Sequence, residues 1–83
     1  MLATMPKFKP TVKVLCKLGT VAHNRPFNAR ELAEYADIPT ASAARHIGWL
    51  VKHRLVHAAS AGAPPTYTPT SKGWNMIARA CTR

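Results

Sequence analysis

Acidic side chains are scarce in this sequence of 83 residues, which has 3 Asp+Glu against 12 Lys+Arg and a formal net charge of +9. Glu31, Glu34 and Asp37 are the three acids, and they lie in one short stretch, so the rest of the chain is purely basic. Such an excess of positive charge favours a polyanionic partner and predicts a positive surface away from the acids. The alternative is that the charge only keeps a small protein soluble.

The residues that enzymes and metal sites need are also few. There is no Gly-rich phosphate loop, and no motif supplies a base to Ser42 or Cys16, so we expect no enzymatic activity. Cys16 and Cys81 are far apart in the chain and form no metal or redox motif, which favours reduced, half-buried thiols in a cytosol. We expect no cofactor and no metal, because the four histidines are scattered: His23, His46, His53 and His57.

Long apolar runs are missing as well. No segment approaches the length that spans a membrane, and the first residues lack the apolar core of a signal peptide, so we expect a cytoplasmic, nucleoid-associated protein. With 47% hydrophobic residues the chain should fold, and its length allows one modest core without a separate ligand domain. We assign residues 1–9 to a flexible basic arm and residues 10–83 to a single domain.

Two helices around a tight turn are predicted between Asn28 and Val56. Asn28 can cap the first helix while Glu31 reaches back to the amide of Asn28, which is a capping box. Pro39 disfavours helical geometry at the residue before it, so the helix should stop near Asp37.

The second of these helices is predicted over residues 40–53, with Thr40 as its cap. Its inner face should bury three apolar side chains at helical spacing, namely Ala43, Ile47 and Leu50. Donors and positive charge return on roughly the opposite side, at Ser42, Arg45, Trp49 and Lys52.

The flanking segments support this pair of helices. Residues 10–23 show a broad apolar helical face, and residues 55–59 and 66–68 can form a hairpin around a loop rich in proline. Thr70 can cap a last helix, which should pack on the first helix or on a second copy of the protein. Its apolar stripe comprises Trp74, Ile77, Ala78 and Cys81.

The segment resembles the winged helix-turn-helix DNA-binding domains of bacterial regulators such as the MarR and ArsR families. The match runs through Leu32-Ala33, Ile38 and Leu55-Val56, and it continues at Tyr67 and Thr70-Ser71-Lys72-Gly73. The resemblance implies a mainly α fold with a small β-hairpin, made of a three-helix core, a wing and a C-terminal helix. It also implies a short strand near Phe27 that pairs with the wing. The chain departs from the family pattern at Asp37, Arg54 and Pro69.

The resemblance further implies that the second helix reads the major groove of double-stranded DNA. Arg45 is the predicted base contact, aided by short side chains at the start of the helix: Thr40, Ala41 and Ser42. The predicted phosphate or flanking contacts are Lys52, His46, Trp49, Arg25, Arg30, Lys13, Lys17 and Lys72. For Trp49 and His46, packing within the protein is the competing interpretation.

Our leading hypothesis is a small sequence-specific transcriptional regulator of bacterial, plasmid or phage type, acting as a repressor and a homodimer. The wing carries no Lys or Arg, and with Trp49 it supports an alternative, a winged-helix protein-binding module such as a phage-encoded inhibitor or an assembly adaptor. RNA binding is a third possibility, although the sequence shows no base-stacking motif of the usual RNA modules.

Overall fold

The computed structural model of the protein describes residues 9–81, so the arm expected over residues 1–9 lies outside the described residues except for Lys9. The elements in chain order are α1 (Val12–Val21), α2 (Ala29–Ala36), α3 (Thr40–Lys52), β1 (Val56–Ser60), β2 (Thr66–Pro69) and α4 (Ser71–Cys81). The described part of the chain is therefore mainly helical with one antiparallel hairpin, which confirms the expected winged helix-turn-helix architecture.

The first helix is shorter than its apolar pattern predicted. Thr11 caps it, since the Thr11 hydroxyl oxygen accepts a hydrogen bond from the Val14 amide at 3.3 Å. Pro10 precedes the helix instead of forming its first turn, and Ala22 forms the C-cap. The difference arises because an apolar stripe shows where a helix is buried, whereas a cap decides where it begins.

The capping box of α2 is confirmed in both directions. The Asn28 side chain accepts from the Glu31 amide at 2.8 Å, and the Glu31 carboxylate accepts from the Asn28 amide at 3.0 Å. The helix ends at Ala36, and Asp37 takes the left-handed conformation with φ 59°. Asp tolerates this geometry, so its side chain does not prevent the turn from closing.

The second helix of the motif, α3, begins and ends slightly differently from the prediction. Pro39 is the N-cap, so Thr40 is the first helical residue and no side chain caps the helix. The helix ends at Lys52, one residue before the predicted end, and His53 is the C-cap. Arg54 then adopts φ 61°, which lets the Leu55 amide donate to the Leu50 carbonyl at 2.8 Å. Arginine thus occupies a left-handed position, a conformation that favours glycine.

The wing pairs Val56 with Pro69 and His57 with Thr68, close to the predicted strands. Phe27 pairs with the wing as expected, but as a single bridge residue: its amide donates to the Tyr67 carbonyl at 2.9 Å, and its carbonyl accepts from the Tyr67 amide at 2.7 Å. The Phe27 side chain is 0% exposed and anchors the core between the wing and the helices. Among the described residues, the other fully buried large side chains are Leu18, Leu32, Leu50 and Val56.

A hydrogen bond joins the N-terminal end of α4 to the segment that follows α3. The Thr70 hydroxyl donates to the Arg54 carbonyl at 2.7 Å and accepts from the Gly73 amide at 3.1 Å, so Thr70 caps α4 as predicted. Gly73 packs directly on the backbone of Leu55: a Cβ at Gly73 would collide with the Leu55 carbonyl oxygen and lie 2.9 Å from its carbon. Only glycine permits this approach.

The stripe of α4 packs on α1, one of the two arrangements expected from the sequence. Ile77 is buried, and its side chain lies against Gly19 of α1, where a Cβ would be 2.8 Å from it. Trp74 is 37% exposed at the edge of this contact. The helix closes the core beside α1, which packs on both α2 and α4.

The expectation of reduced thiols is wrong. Cys16 of α1 and Cys81 of α4 form a disulfide, with their Cα atoms 5.5 Å apart. Because α4 runs along α1, its last residue reaches Cys16, a proximity that 65 positions of sequence separation conceal. Cys16 is half-buried and Cys81 is exposed, so the bond lies at the surface end of the helix pair.

Candidate nucleic-acid interface

One stripe of α3 faces away from the core. Ala43, Ile47 and Leu50 are buried as predicted, whereas the residues on the opposite side of the helix are exposed. Helical periodicity places these exposed residues in a single line along α3. They are Ala41, Arg45, Gly48 and Lys52. The predicted base contact and one predicted phosphate contact therefore share a surface with two residues that have almost no side chain.

Two side chains assigned to this surface lie instead on its flank. Ser42 and Trp49 are half-buried, and Trp49 packs against the core with its ring centroid 4.0 Å from that of His53. The face predicted from Ser42, Arg45, Trp49 and Lys52 is thus correct for Arg45 and Lys52 only. The cause is the width of the buried side, which extends past the strict apolar stripe wherever a neighbouring element packs. For Trp49, packing within the protein is what the structure shows.

The start of α3 offers a second kind of contact. Thr40 and Ala41 are exposed, and the helix has no side-chain cap, so the amides of its first turn lack an intrahelical partner. The partial positive charge at such a helix end favours a phosphate or a base acceptor. His46, half-buried, lies in the second turn of the same helix.

Gly48 lies at the centre of the exposed stripe, and a Cβ there would meet nothing within 4 Å. We expect Gly48→Ala to raise the free energy of unfolding by about 0.5 to 1 kcal/mol, because alanine restricts the unfolded chain and favours the helix. Urea denaturation of the variant and the parent protein measures this difference. A lower midpoint for the variant would contradict a helical, unobstructed backbone at Gly48.

Two of the predicted phosphate contacts are paired with acids. Arg25 contacts the Glu31 carboxylate at 2.8 Å, and Arg30 approaches the Glu34 carboxylate at 3.7 Å. Both pairs involve α2, which carries two of the three acids, with the third at its C-cap. The positive charge of these two arginines is therefore partly neutralised, and neither belongs to the exposed stripe of α3.

The remaining predicted contacts are not gathered around α3. Lys13 and Lys17 are exposed on α1, which packs on α2 and α4, while α3 packs on α2 and β1. Lys72 is exposed on α4, near the C-terminal half of α3. The structure thus brings together Arg45, Lys52 and the start of α3, and it distributes the other cations over two further helices.

Sequence reasoning overlooked two residues at or beside this surface. Gly48 continues the periodicity of Ala41 and Arg45, so helical spacing alone was enough to find it. Arg79 carried no such signal, because its place beside the end of α3 depends on how α4 packs on α1. The wing adds no Lys or Arg, as the sequence indicated, and its tip at residues 61–65 is exposed.

The described residues 9–81 contain neither a metal-binding cluster nor a membrane-spanning helix. Within that range no group of three or more His, Cys, Asp or Glu side chains lies close enough to hold a metal ion. His53 ends α3 and His57 lies in β1, so the helix does end between them as predicted. None of the helices in the same range is long and apolar enough to cross a membrane.

Solved structures with the same arrangement decide the fold. A MarR family transcriptional regulator from Silicibacter pomeroyi superposes with a TM-score of 0.69 at 20% identity, over 82% of this chain and 46% of that one. A second MarR family regulator from the same organism gives 0.68 at 17% identity, over 83% and 50%. A protein of unknown function from Listeria innocua gives 0.66 at 18% identity, over 82% and 48%. The fold is a winged helix-turn-helix.

These winged helix-turn-helix neighbours share the fold at low sequence identity, and this chain spans about half of their length. No protein-family model matches the sequence, and no curated protein sequence does either.

Proposed function

We propose that the protein is a small DNA-binding transcriptional regulator that reads the major groove with α3. The observation that carries this proposal is the exposed stripe of α3, which presents Arg45 and Lys52 on either side of Gly48. The α-helix is an element that the major groove accepts, and the winged helix-turn-helix fold of the MarR family regulators supports the same use.

Arg45 would supply the base contact in this arrangement. Its guanidinium can donate two hydrogen bonds to the O6 and N7 atoms of one guanine. Ala41 and Gly48 leave space for the helix backbone to approach the groove floor on both sides of that contact. Thr40 and Ser42 at the beginning of α3 add short donors for a base edge or a phosphate.

Phosphate contacts would come from Lys52 first and from Lys72, Lys13 and Lys17 on the flanking helices. Such contacts position a protein on the duplex and make its affinity sensitive to salt. Arg25 and Arg30 would contribute less, since each faces a carboxylate. The wing, without Lys or Arg, would contribute packing or backbone contacts only.

A homodimer on two half-sites is part of the proposal, because one short helix reads few base pairs. A dimer doubles the number of bases read and accounts for sequence-specific binding by so small a domain. Repression by occupying a promoter is the simplest action for such a protein.

Selection from a random pool of duplex DNA, at low and at physiological salt, tests the proposal directly. An inverted repeat that is enriched at both salt concentrations is the expected result, and its spacing would reveal the dimer geometry. Weak binding that is lost as salt rises, with no enriched motif, would overturn it, since the charge would then act without sequence preference.

Arg45→Ala is expected to weaken binding to the selected site by about 1 to 3 kcal/mol while leaving affinity for random duplex DNA nearly unchanged. The matched variant is Lys52→Ala, which removes one positive charge from the same stripe. It should weaken binding to both kinds of DNA alike and lower the salt dependence of that binding. Fluorescence anisotropy with the two duplexes distinguishes the variants, and equal losses for Arg45→Ala on both would refute the base contact.

The alternative function is a protein-binding module, and the exposed wing tip without Lys or Arg favours it. The half-buried position of Trp49 weakens it, because that side chain packs within the protein. Affinity capture from a nuclease-treated host extract tests this alternative. A stoichiometric protein partner that persists after nuclease treatment, together with no enriched DNA motif, would favour the module over the regulator.

A further inference from the structure

A groove between α3 and α4 lies beside the proposed duplex-binding stripe. Its volume is about 420 Å³, which is within the usual range for sites that bind small organic molecules. Leu55 and Met76 supply its apolar lining, and the other lining side chains are aromatic, cationic or amide-bearing. The duplex proposal uses only Lys72 from this groove.

The α3 side of the groove is an aromatic wall. Trp49 is held in place because it packs against the core, and His53 lies against it with ring centroids 4.0 Å apart and planes 32° apart. His53 itself is exposed. Both rings line the groove, so together they present an aromatic surface to it.

The α4 side of the groove is cationic. Lys72, Asn75, Met76 and Arg79 share one face of α4, and all four line the groove. Lys72 and Arg79 are exposed and stand about 10 Å apart along the helix axis, with Asn75 between them. Neither cation pairs with a carboxylate in the described part of the chain, where the acids belong to α2 and its C-cap.

Flat rings flanked by two exposed cations suit a nucleotide. We propose that the groove binds one unstacked nucleotide, with its base against the His53–Trp49 wall and its phosphates at Lys72 and Arg79. Asn75 offers both a donor and an acceptor to the base edge. Aromatic stacking combined with a positive groove is the chemistry by which proteins bind single-stranded nucleic acid. The site does not involve Arg45, and it shares only Lys72 with the duplex proposal.

The test follows Trp49 fluorescence in a Trp74→Phe protein, where Trp49 is the one remaining tryptophan. A short thymidine oligonucleotide should quench it saturably, and Arg79→Gln should weaken that binding roughly tenfold. Lys9→Gln removes the same charge outside the groove and should weaken it only about twofold. His53→Ala should also weaken binding, and His53→Phe, which keeps a flat ring, should restore it.

Three ligands are compared: the oligonucleotide, thymidine monophosphate and inorganic phosphate. If thymidine monophosphate binds as tightly as the oligonucleotide, the site is supported and its ligand is a free nucleotide. If inorganic phosphate competes at the same concentration, the groove binds a bare anion and the proposal is overturned. Equal losses for Arg79→Gln and Lys9→Gln, with no effect of His53→Ala, would also overturn it, since the attraction would be non-specific.

The Arg45→Ala variant separates this proposal from the duplex proposal. It should lose preference for the selected duplex while binding the oligonucleotide as well as the parent protein does. Loss of oligonucleotide binding in Arg45→Ala would place the single strand on the α3 stripe and overturn the groove assignment.

Discussion

Replacing Gly73 with alanine should lower the free energy of unfolding by roughly 3 kcal/mol or more, a large part of the stability of a domain of this size. The added Cβ would collide with the Leu55 carbonyl oxygen, which also accepts the hydrogen bond from the Thr70 amide. The carbonyl oxygen and carbon of Leu55 are both backbone atoms, so a side-chain rotation cannot make room for the Cβ. The start of α4 would have to move away, and this would disturb the burial of Ile77.

Gly48→Ala is the matched control for this change, because it makes the same substitution within a helix where the space is open. The two variants should therefore shift the urea midpoint in opposite directions from the parent protein. Equal stability of Gly73→Ala and Gly48→Ala would show that α4 does not sit on the Leu55 carbonyl. Circular dichroism in the absence of urea shows whether Gly73→Ala still folds.

Loss of the disulfide should be the other large effect. A Cys16→Ser, Cys81→Ser protein is expected to lose about 2 to 4 kcal/mol of unfolding free energy, because the bond closes a long loop in the unfolded chain. The sequence separation of the two cysteines is 65, so nearly the whole folded domain lies within that loop. Serine is close in size to cysteine, and both sites are at least partly exposed, so the lost crosslink should dominate over lost packing.

Urea denaturation with and without a dithiol reductant measures this effect. Reduction should lower the midpoint of the parent protein and leave the double serine variant unchanged. A thiol assay confirms that reduction is complete. An unchanged midpoint for fully reduced parent protein would contradict a stabilising role for the bond.

Gly73→Ala and loss of the disulfide both affect α4, and this helix contributes to only one of the two candidate sites as a wall. The Arg45 stripe belongs to α3, which is held by α2 and β1, whereas the proposed nucleotide groove needs α4 as one of its walls. Loosening α4 should therefore impair single-strand binding more than duplex recognition. Such a difference would show that single-strand binding requires α4 in its folded position.

The sequence by itself determined the local features of this protein. The Asn28–Glu31 capping box, the stop before Pro39 and the inner face of α3 each depend on residues within about one helical turn, so one stretch of sequence contains the whole cause. The excess of positive charge and the outward position of Arg45 follow in the same way. The hairpin could be predicted within one residue because turn residues separate its two short strands.

Only the tertiary structure decided which distant groups meet. The packing of α4 on α1 brings Cys16 and Cys81 together. The contact of α4 with the Leu55 backbone requires glycine at position 73. The groove exists because α4 lies near Trp49. Likewise, Arg25 is paired with Glu31 because the chain before α2 folds back on that helix. Helical periodicity says which side of a helix is buried but not which neighbour covers it, and these contacts depend on that neighbour.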